Sequence, residues 1–337
     1  MEIVVWLSYA YVGIFFILIV AVGLPAKKSN TVYTGILSIC VPFRNESANL
    51  VRHCSSIKSL DDINYEILYA DDHSEDDSST VCRTKGFPVY SVSCGEGKIA
   101  ALTEACKHAK GEILVFTDAD CTVPDLWLRT LRTRLHDAGL CVGMVSVREM
   151  PLMTLDFYCL IGVAAGLYRL GIPSSCPGAN IAVSSHTYKE FLRTISFSHA
   201  TDDAALLHFV HSYTKKKIHF LFSRDNMVTT EPYKTCGEFF QQRFRWVKGG
   251  IRLNPWLTMY LLFVYVAHCT FFVFPTMLWV PILCGALFSG VVILKMRDYK
   301  LLPLIPLYGI FFVVYTTVIG LLFPFLNGRV RWKGRSL

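Results

Sequence analysis

Residues 112–121 have the sequence EILVFTDADC, and the fold is inferred outward from this stretch. The first half, 112–116, is almost wholly apolar, which is typical of a buried parallel strand. Two carboxylates follow it directly, Asp118 and Asp120. In open α/β sheets ligands bind beyond the carboxyl ends of the strands, so this pair is predicted to face a site. Two hard oxygen donors suit Mg²⁺ or Mn²⁺, with diphosphate oxygens completing the shell. The alternative for so short a motif is a solvated acidic turn.

The apolar residues are concentrated in long segments. The 337-residue chain is 53% hydrophobic with a mean hydropathy of +0.40, too apolar for an ordinary soluble enzyme. The runs 3–24, 255–294 and 301–326 contain no charged residue. Each is long enough to cross a hydrocarbon core of roughly 30 Å, which needs about 20 residues. The second run is long enough for two segments, bent near Pro275.

These segments predict the domain organisation. We expect a transmembrane helix over 1–25, a cytoplasmic α/β domain over 26–254, transmembrane or interfacial helices over 255–327 and a basic tail over 328–337. A cleaved signal peptide is disfavoured because the first segment is too long and lacks a basic start. Lys27 and Lys28 would keep its carboxyl end in the cytoplasm. The chain is therefore expected to be an integral protein of the inner or cell membrane.

Charge and cysteine usage agree with that location. The net charge of +7 suits an anionic inner leaflet, because the basic residues cluster beside the apolar segments. This distribution does not indicate a nucleic-acid partner. The twelve cysteines form no Cys-x-x-Cys pair, which favours free thiols in a reducing compartment.

Strand and helix patterns alternate through the first half of the α/β region. This alternation predicts an α/β fold with a doubly wound, mainly parallel sheet. Three of the strands are followed by polar residues, at 44–46, at Asp71-Asp72 and at Asp118-x-Asp120, and these groups are expected to converge on one crevice. The expected strands are 36–41, 65–70, 88–92, 112–116, 140–147, 181–184 and 217–222.

The second half of the region is less regular. Residues 152–172 fit either an amphipathic helix at the membrane surface or an ordinary core helix. Thr201-Asp202-Asp203 begins a helix, where these residue types also serve as N-caps. Gln242, Arg245 and Trp246 are spaced so that they share one helix face. An amide, a guanidinium and an indole together are unusual on a face that serves only solubility.

The ordered set of motifs resembles the inverting family 2 glycosyltransferases with a GT-A fold, from residue 36 to about 246. The sequence departs from the pattern of this family at two positions: Asp202 stands where glutamate is usual, and His73 stands where glycine is usual. The tail 330–335 also resembles the ends of ceramide and carotenoid glucosyltransferases. The resemblance rests on Pro42-x-Arg44-Asn45-Glu46, Asp71-Asp72, Gly97-Lys98, Asp118-Ala119-Asp120, Thr201-Asp202-Asp203 and Gln242-Arg243-Phe244-Arg245-Trp246.

The resemblance implies a role for each of these positions. Asp203 would be the catalytic base, and Asp118 and Asp120 would hold Mg²⁺ or Mn²⁺. The reaction would be a single displacement in which the metal neutralises the leaving diphosphate. Donor binding would involve Pro42, Arg44, Glu46, Asp71, Asp72, Lys98, Asp118, Gln242, Arg245 and Trp246.

The expected activity is transfer of one sugar from a nucleotide-sugar donor, a UDP-hexose, to a hydroxyl of a membrane lipid. A processive polysaccharide synthase of the same family is the alternative, disfavoured because only 247–254 separate the last motif from the apolar run. A haloacid-dehalogenase-type phosphatase could use Asp118 as nucleophile, with Lys189 and Asp202 or Asp203 as partners. A membrane scaffold with a degenerate nucleotide pocket is the non-enzymatic alternative.

The basic tail complicates the membrane topology. Four crossings would place it outside, against the rule that basic segments stay in the cytoplasm. We therefore expect one segment between Trp256 and Leu294 to lie in the interface or to re-enter, leaving the tail in the cytoplasm.

Overall fold

The computed structural model describes residues 1–25, 31–136, 138–194, 202–214, 216–326, 331–332 and 335–336. Its helices are α1 Glu2–Gly23, α2 Ser47–Lys58, α3 Ser78–Thr84, α4 Lys98–His108, α5 Trp127–Arg132, α6 Pro151–Arg169, α7 Ser185–Thr194, α8 Asp202–Tyr213, α9 Cys236–Leu253, α10 Pro255–Val273, α11 Trp279–Met296 and α12 Ile305–Leu326. Its strands are β1 Leu37–Phe43, β2 Tyr65–Asp71, β3 Val89–Ser91, β4 Ile113–Phe116, β5 Ala138–Val142, β6 Met144–Val147, β7 Ile181–Ser184, β8 Lys217–Phe220, β9 Met227–Thr230, β10 Arg331–Trp332 and β11 Arg335–Ser336.

The chain divides into two compact units, and neither is continuous in sequence. The α/β unit comprises Lys27–Arg148 and Cys176–Glu231, and the helical unit comprises Met1–Ala26, Glu149–Ser175 and Pro232–Leu337. The sequence predicted one continuous α/β domain over 26–254. Two parts of that range, containing α6 and α9, instead cluster with the apolar helices, because both present apolar side chains that need a buried partner.

The α/β unit is built on a seven-stranded sheet with the order β3-β2-β1-β4-β7-β5-β8. The strands β3, β2, β1 and β4 are mutually parallel, whereas β7 pairs antiparallel with both β4 and β5. Strand β1 is buried along almost its whole length, as expected for a strand covered on both faces. The sheet is therefore mainly parallel and mixed at one point.

The predicted strand 140–147 is divided in two at Gly143. A Cβ atom at this position would lie 2.2 Å from the side chains of both Asn180 and Asn226. The amide of Asn180 donates to the carbonyls of Met144 and Asn226. The chain thus leaves the main sheet at Gly143, and β6 pairs instead with β9, a strand that the sequence pattern did not reveal.

The helical unit contains α1, α6 and α9–α12. Five described helical segments are long and apolar enough to cross a membrane: Glu2–Gly23, Pro151–Arg169, Pro255–Val273, Pro275–Met296 and Tyr299–Phe325. The three predicted apolar runs account for four of them. The fifth is α6, which is largely buried within this unit and so has the burial of a core helix.

The directions of three helices follow from their side-chain contacts. Phe15 of α1 packs on Phe288 of α11, and the ammonium of Lys295 donates to the carbonyl of Leu24 at 2.9 Å, so α1 and α11 run the same way. Helix α12 runs the opposite way, since added Cβ atoms at Gly285 and Gly290 of α11 would meet Gly309 and Ile305 of α12 respectively. The start of α1 and the end of α12 therefore lie at one end of the helical unit.

Candidate active site

Three parallel strands end at the same edge of the sheet. In register, Phe43 of β1 lies beside Asp71 of β2, and Cys40 of β1 lies beside Phe116 of β4. The loops that leave these strands therefore enter one region. This is the edge at which ligands bind in open α/β sheets.

The turn after β4 presents the two carboxylates of the Asp-x-Asp motif. Asp118 and Asp120 are half-buried, whereas Ala119 between them is buried. The Lys98 ammonium lies 2.7 Å from Oδ1 of Asp118, and these two side chains are 21% and 35% exposed. The ion pair brings the start of α4 to the Asp-x-Asp turn.

The glycine loop that precedes the same helix contacts the residue after β2. Gly97 has a φ of 93°, in the left-handed region that favours glycine. Its N–H donates to Oδ1 of the buried Asp72 at 2.9 Å. Lys98 follows as the first residue of α4. One short loop thus joins the carboxylate after β2 to the lysine that pairs with Asp118.

Asp203, near the start of α8, is held by backbone N–H groups. Gly178 N–H donates to Oδ2 at 2.9 Å, and Ala204 N–H donates to Oδ1 at 2.8 Å. A Cβ at Gly178 would lie 2.9 Å from that Oδ2 and 3.0 Å from Nζ of Lys98. Lys98 and Asp203 therefore flank the same glycine, and Asp118 joins them through its ion pair with the lysine.

His53 supports the Asp-x-Asp turn from the core, and the sequence analysis missed it. Its Nδ1 lies 2.7 Å from the carbonyl oxygen of Cys121, the residue after Asp120. Burial lowers the pKa of His53 to about 4. The neutral ring therefore donates Nδ1–H to this carbonyl. The available signal was weak, because a single histidine on the apolar face of α2 is usually a core residue.

The comparisons with known proteins agree with this geometry. Residues 38–152 match the model for Glycosyl transferase family 2, a range that runs from β1 into α6 and includes the Asp-x-Asp turn. Over this range the chain is similar to the family 2 glycosyltransferases. The predicted enzyme class, glycosyltransferase, is thereby confirmed.

Solved structures extend the comparison to the fold. A mannosyltransferase, PcManGT from Pyrobaculum calidifontis in complex with GDP-Man and Mn²⁺, is 16% identical, with a TM-score of 0.62, and the match covers 96% of this chain and 98% of that one. At this identity the likeness shows the fold alone, and it includes the apolar helices. The predicted α/β, mainly parallel fold is confirmed.

A second group of solved structures is less similar in fold, as judged by the TM-score. Glucosyl-3-phosphoglycerate synthase from Mycobacterium tuberculosis, in complex with Mn²⁺ and UDP-Glc, is 18% identical with a TM-score of 0.47. The match covers 66% of this chain and 79% of that one. The similarity at this TM-score is too low to support a functional argument.

The first predicted motif spans the end of β1 and the residues that follow it. Pro42 lies within the strand, opposite Ala70. The Arg44 guanidinium forms an ion pair with Glu75 at 3.6 Å, and Glu46 precedes α2 and accepts a hydrogen bond from Asn49 at 2.7 Å. The motif is therefore at the predicted edge, and its contacts with a donor stay a prediction.

The two aspartates after β2 have different partners. Asp71 accepts hydrogen bonds from the Ser74 N–H and the Ser79 hydroxyl, so it orders the loop that follows it. Asp72 instead faces the glycine loop. His73 has a φ of 57°, so the backbone keeps the left-handed conformation that glycine favours although the side chain differs from the family pattern.

The third carboxylate motif is described only in part. Thr201 lies outside the described residues, as do Lys27 and Lys28. Helix α8 begins at Asp202, and Asp203 is the member of the motif whose carboxylate reaches Gly178.

The Gln-x-x-Arg-Trp motif lies on α9, in the helical unit. Gln242 Oε1 accepts hydrogen bonds from the Tyr233 hydroxyl at 2.6 Å and from Arg243 at 3.1 Å. Trp246 is 36% exposed, and Arg245 is half-buried. The helix is confirmed, and the role of these side chains in donor binding stays a prediction.

The phosphatase alternative does not fit the residues around Asp118. It required Lys189 as the partner of that carboxylate. The partner is Lys98, and Lys189 is exposed on α7. The family match assigns the Asp118 turn to a glycosyltransferase domain instead.

An open cavity of 490 Å³ lies next to the Asp-x-Asp turn. Thr122, two residues after Asp120, lines this cavity. Arg224, Asp225 and Thr229 contribute polar groups to its lining. Its size is within the roughly 300–1,000 Å³ of small-molecule sites. The cavity could not be predicted from the sequence, because residues 224–229 carry no motif.

Proposed function

We propose that this chain is a membrane-bound inverting glycosyltransferase that moves one sugar from a nucleotide-sugar donor to a hydroxyl of a lipid acceptor. The observation that carries the proposal is the meeting of Asp118, Lys98 and Asp203 around Gly178. A metal-binding carboxylate, a cation for the diphosphate and a basic carboxylate are the three groups that a single displacement requires.

The Asp-x-Asp turn suits Mg²⁺ or Mn²⁺. Within the described residues no group of three or more His, Cys, Asp or Glu side chains could hold a metal. Asp118 and Asp120 would therefore supply the protein ligands, and diphosphate oxygens and water would supply the rest, as is usual for Mg²⁺ beside phosphates. When bound, the ion would neutralise charge on the departing nucleoside diphosphate.

The groups around the turn would bind the donor. Lys98 adds a positive charge near Asp118, and the N-terminus of α4 adds the partial positive charge of its backbone N–H groups. Asp72 fixes the loop that carries this lysine. Contacts from Pro42, Arg44, Glu46, Asp71, Gln242, Arg245 and Trp246 belong to the same proposal.

Asp203 would act as the general base. Two backbone N–H groups hold its carboxylate in one orientation. It would remove the proton from the acceptor hydroxyl as that oxygen attacks the sugar carbon. The nucleoside diphosphate would leave from the opposite face of the sugar, so the configuration inverts.

The acceptor is proposed to be a membrane lipid. Five described helical segments have the length and composition of membrane spans. With so much of the chain suited to a bilayer, a lipid hydroxyl is the acceptor that such an enzyme meets most readily. We place the enzyme in the inner or cell membrane, with its catalytic domain in the cytoplasm.

The proposal is tested with radiolabelled UDP- and GDP-sugars, lipid extract and Mn²⁺. Labelled product that enters the organic phase supports single transfer to a lipid. Labelled polymer of high mass would favour the polysaccharide synthase instead. Absence of metal-dependent binding of every sugar nucleotide would contradict the enzyme proposal and favour a scaffold.

Two matched variants separate binding from chemistry. Asp120→Asn should abolish Mn²⁺-dependent nucleotide binding, because it removes a ligand charge. Asp203→Asn should leave that binding intact and lower transfer by roughly 10²–10⁴-fold, the range for loss of a general base. Transfer near the wild-type rate in Asp203→Asn would show that the base assignment is wrong.

A further inference from the structure

The Gln-x-x-Arg-Trp motif contains a buried arginine between its named positions. Arg243 is 3% exposed, whereas Gln242 is half-buried and Trp246 is 36% exposed. It donates to Oε1 of Gln242 at 3.1 Å, and its guanidinium carbon lies 4.4 Å from the ring centre of Trp246. One buried side chain therefore contacts two of the three residues proposed to bind substrate.

The charge of Arg243 is met by an aspartate on another helix. Asp156 of α6 is fully buried, and its Oδ2 accepts a hydrogen bond from Arg243. Its Oδ1 accepts a hydrogen bond from the Tyr315 hydroxyl of α12 at 2.8 Å. The network thus joins α6, α9 and α12 within the helical unit.

Aromatic rings enclose this ion pair. The guanidinium carbon of Arg243 lies 4.8 Å from the ring centre of Phe239 and 5.4 Å from that of Phe157. Phe157 also packs edge-on against Trp246, with 5.5 Å between ring centres. The arginine is therefore fixed in position by both charge and packing, and so are the side chains that rest on it.

Stability alone does not explain such a pair. A buried ion pair contributes little net stability, because desolvation of both charges offsets their attraction, and an apolar replacement of both is often neutral or stabilising. Its geometric effect is large, since a planar guanidinium has a fixed set of donor directions. The pair therefore has more effect on where Gln242 and Trp246 lie than on whether the helices assemble.

We propose that Asp156 and Arg243 are positioning residues for sugar transfer, which hold Gln242 and Trp246 in their working orientation. The inference rests on the proposed function of those two residues. Neither Asp156 nor Arg243 needs to contact the substrate. They act through the side chains that Arg243 touches.

The test compares Asp156→Asn, Arg243→Met and the double variant, in membranes or detergent. Each single change should lower the thermal midpoint, because it leaves one buried charge unpaired. The double change removes both charges and should restore the midpoint. Transfer by the double variant should remain at least tenfold below wild type, with Mn²⁺-dependent UDP or GDP binding unchanged, since Asp118 and Asp120 are intact.

A conservative variant keeps the test decisive if the double variant fails to fold. Arg243→Lys retains the charge opposite Asp156 but loses the planar fork and its contact with Gln242. It should fold, bind nucleotide normally and transfer at least tenfold more slowly. Tyr158→Phe is the control, because it removes a 3.1 Å hydrogen bond from the same helix α6 to Asp298 and should transfer at the wild-type rate.

Two results would overturn the inference: wild-type transfer by a stable double variant, or wild-type transfer by Arg243→Lys. Failure of the proposed function is distinguishable, because the wild-type protein itself would then bind nucleotide without transferring sugar. In that case hydrogen exchange over 242–246 decides the question. Faster exchange in Arg243→Lys would support positioning, and unchanged exchange would contradict it.

Discussion

At the scale of single residues, the site depends on a glycine that carries no chemistry. Gly178 donates its N–H to Asp203, and the space where its side chain would be is taken by Asp203 and Lys98. The absence of a Cβ is what allows a carboxylate and an ammonium to approach the same point.

We therefore expect Gly178→Ala to lower sugar transfer by about a hundredfold, the effect of displacing a catalytic group by roughly 1 Å. The methyl group would push Asp203 or Lys98 away from its present position. Steady-state transfer assays measure the effect. Gly23→Ala is the control, since a Cβ there would meet no atom within 4 Å. Equal activity of the two variants would contradict the close approach of Asp203 and Lys98 to Gly178.

His53 predicts a pH dependence of stability. Burial lowers its pKa from 6.5 to about 4, so the folded protein keeps a neutral ring where the unfolded chain takes up a proton. The free energy of unfolding should therefore fall as the pH drops from 6.5 to 4, by about 3 kcal/mol in total from this one group. Above pH 6.5 His53 should contribute no slope.

Denaturation in detergent across this pH range measures that slope. His53→Asn removes the titrating group, so it should flatten the curve between pH 6.5 and 4. His186→Asn changes an exposed histidine of α7 and should leave the curve as in the wild type. If the free energy of unfolding of His53→Asn still falls between pH 6.5 and 4, other groups cause the pH dependence.

At the scale of elements, α5 is attached to the sheet through Arg132. This buried guanidinium forms a two-point ion pair with Asp62, and it also donates to the carbonyls of Gly35 and Asn64, each at 2.7 Å. The loops before β1 and β2 are thus joined to one helix. Arg129, on the same helix, forms an exposed ion pair with Asp61.

The two arginines should differ sharply on substitution. Arg132→Met leaves a buried carboxylate unpaired and should cost about 3–5 kcal/mol of stability. Arg129→Met removes an exposed pair and should cost less than about 1 kcal/mol. Thermal or chemical denaturation compares them directly. Equal losses would mean that burial does not set the strength of these pairs.

At the scale of the whole molecule, the helix directions bear on the membrane topology. The start of α1 and the end of α12 lie at one end of the helical unit. The charge pattern of the sequence predicts termini on opposite sides of the membrane, because basic tails stay in the cytoplasm. The helix directions instead favour both termini on the same side of the membrane.

We therefore predict that tags fused to Met1 and to Leu337 lie on the same side of the membrane. Protease digestion of sealed vesicles measures this, because both tags should be cleaved or both protected. An internal tag in the loop at Ile63, which is fully exposed on the α/β unit, reports the side of that unit. If one terminus is protected and the other is cleaved, the result would support the predicted re-entrant segment between Trp256 and Leu294.

Much of the fold followed from local patterns. The strand 181–184 was predicted with its observed bounds, and β1, β2 and β4 were found within two residues, because continuous apolar runs between turns are a local signal. The motif residues Asp118, Asp120 and Asp203 could be chosen because each follows or starts an element. The apolar helices followed from length and composition alone.

Tertiary structure decided what no local pattern contains. That α6 and α9 belong with the apolar helices is seen only in the packing, which brings together Asp156 and Arg243, 87 positions apart in sequence. The contact of His53 with the Asp-x-Asp turn joins distant segments of the chain. So does the approach of Lys98 and Asp203 to Gly178. The sequence by itself determined which residue types stand at the ends of elements. Only the packing of those elements decided which of them meet, because contact across the chain is set by the sum of many burials rather than by spacing.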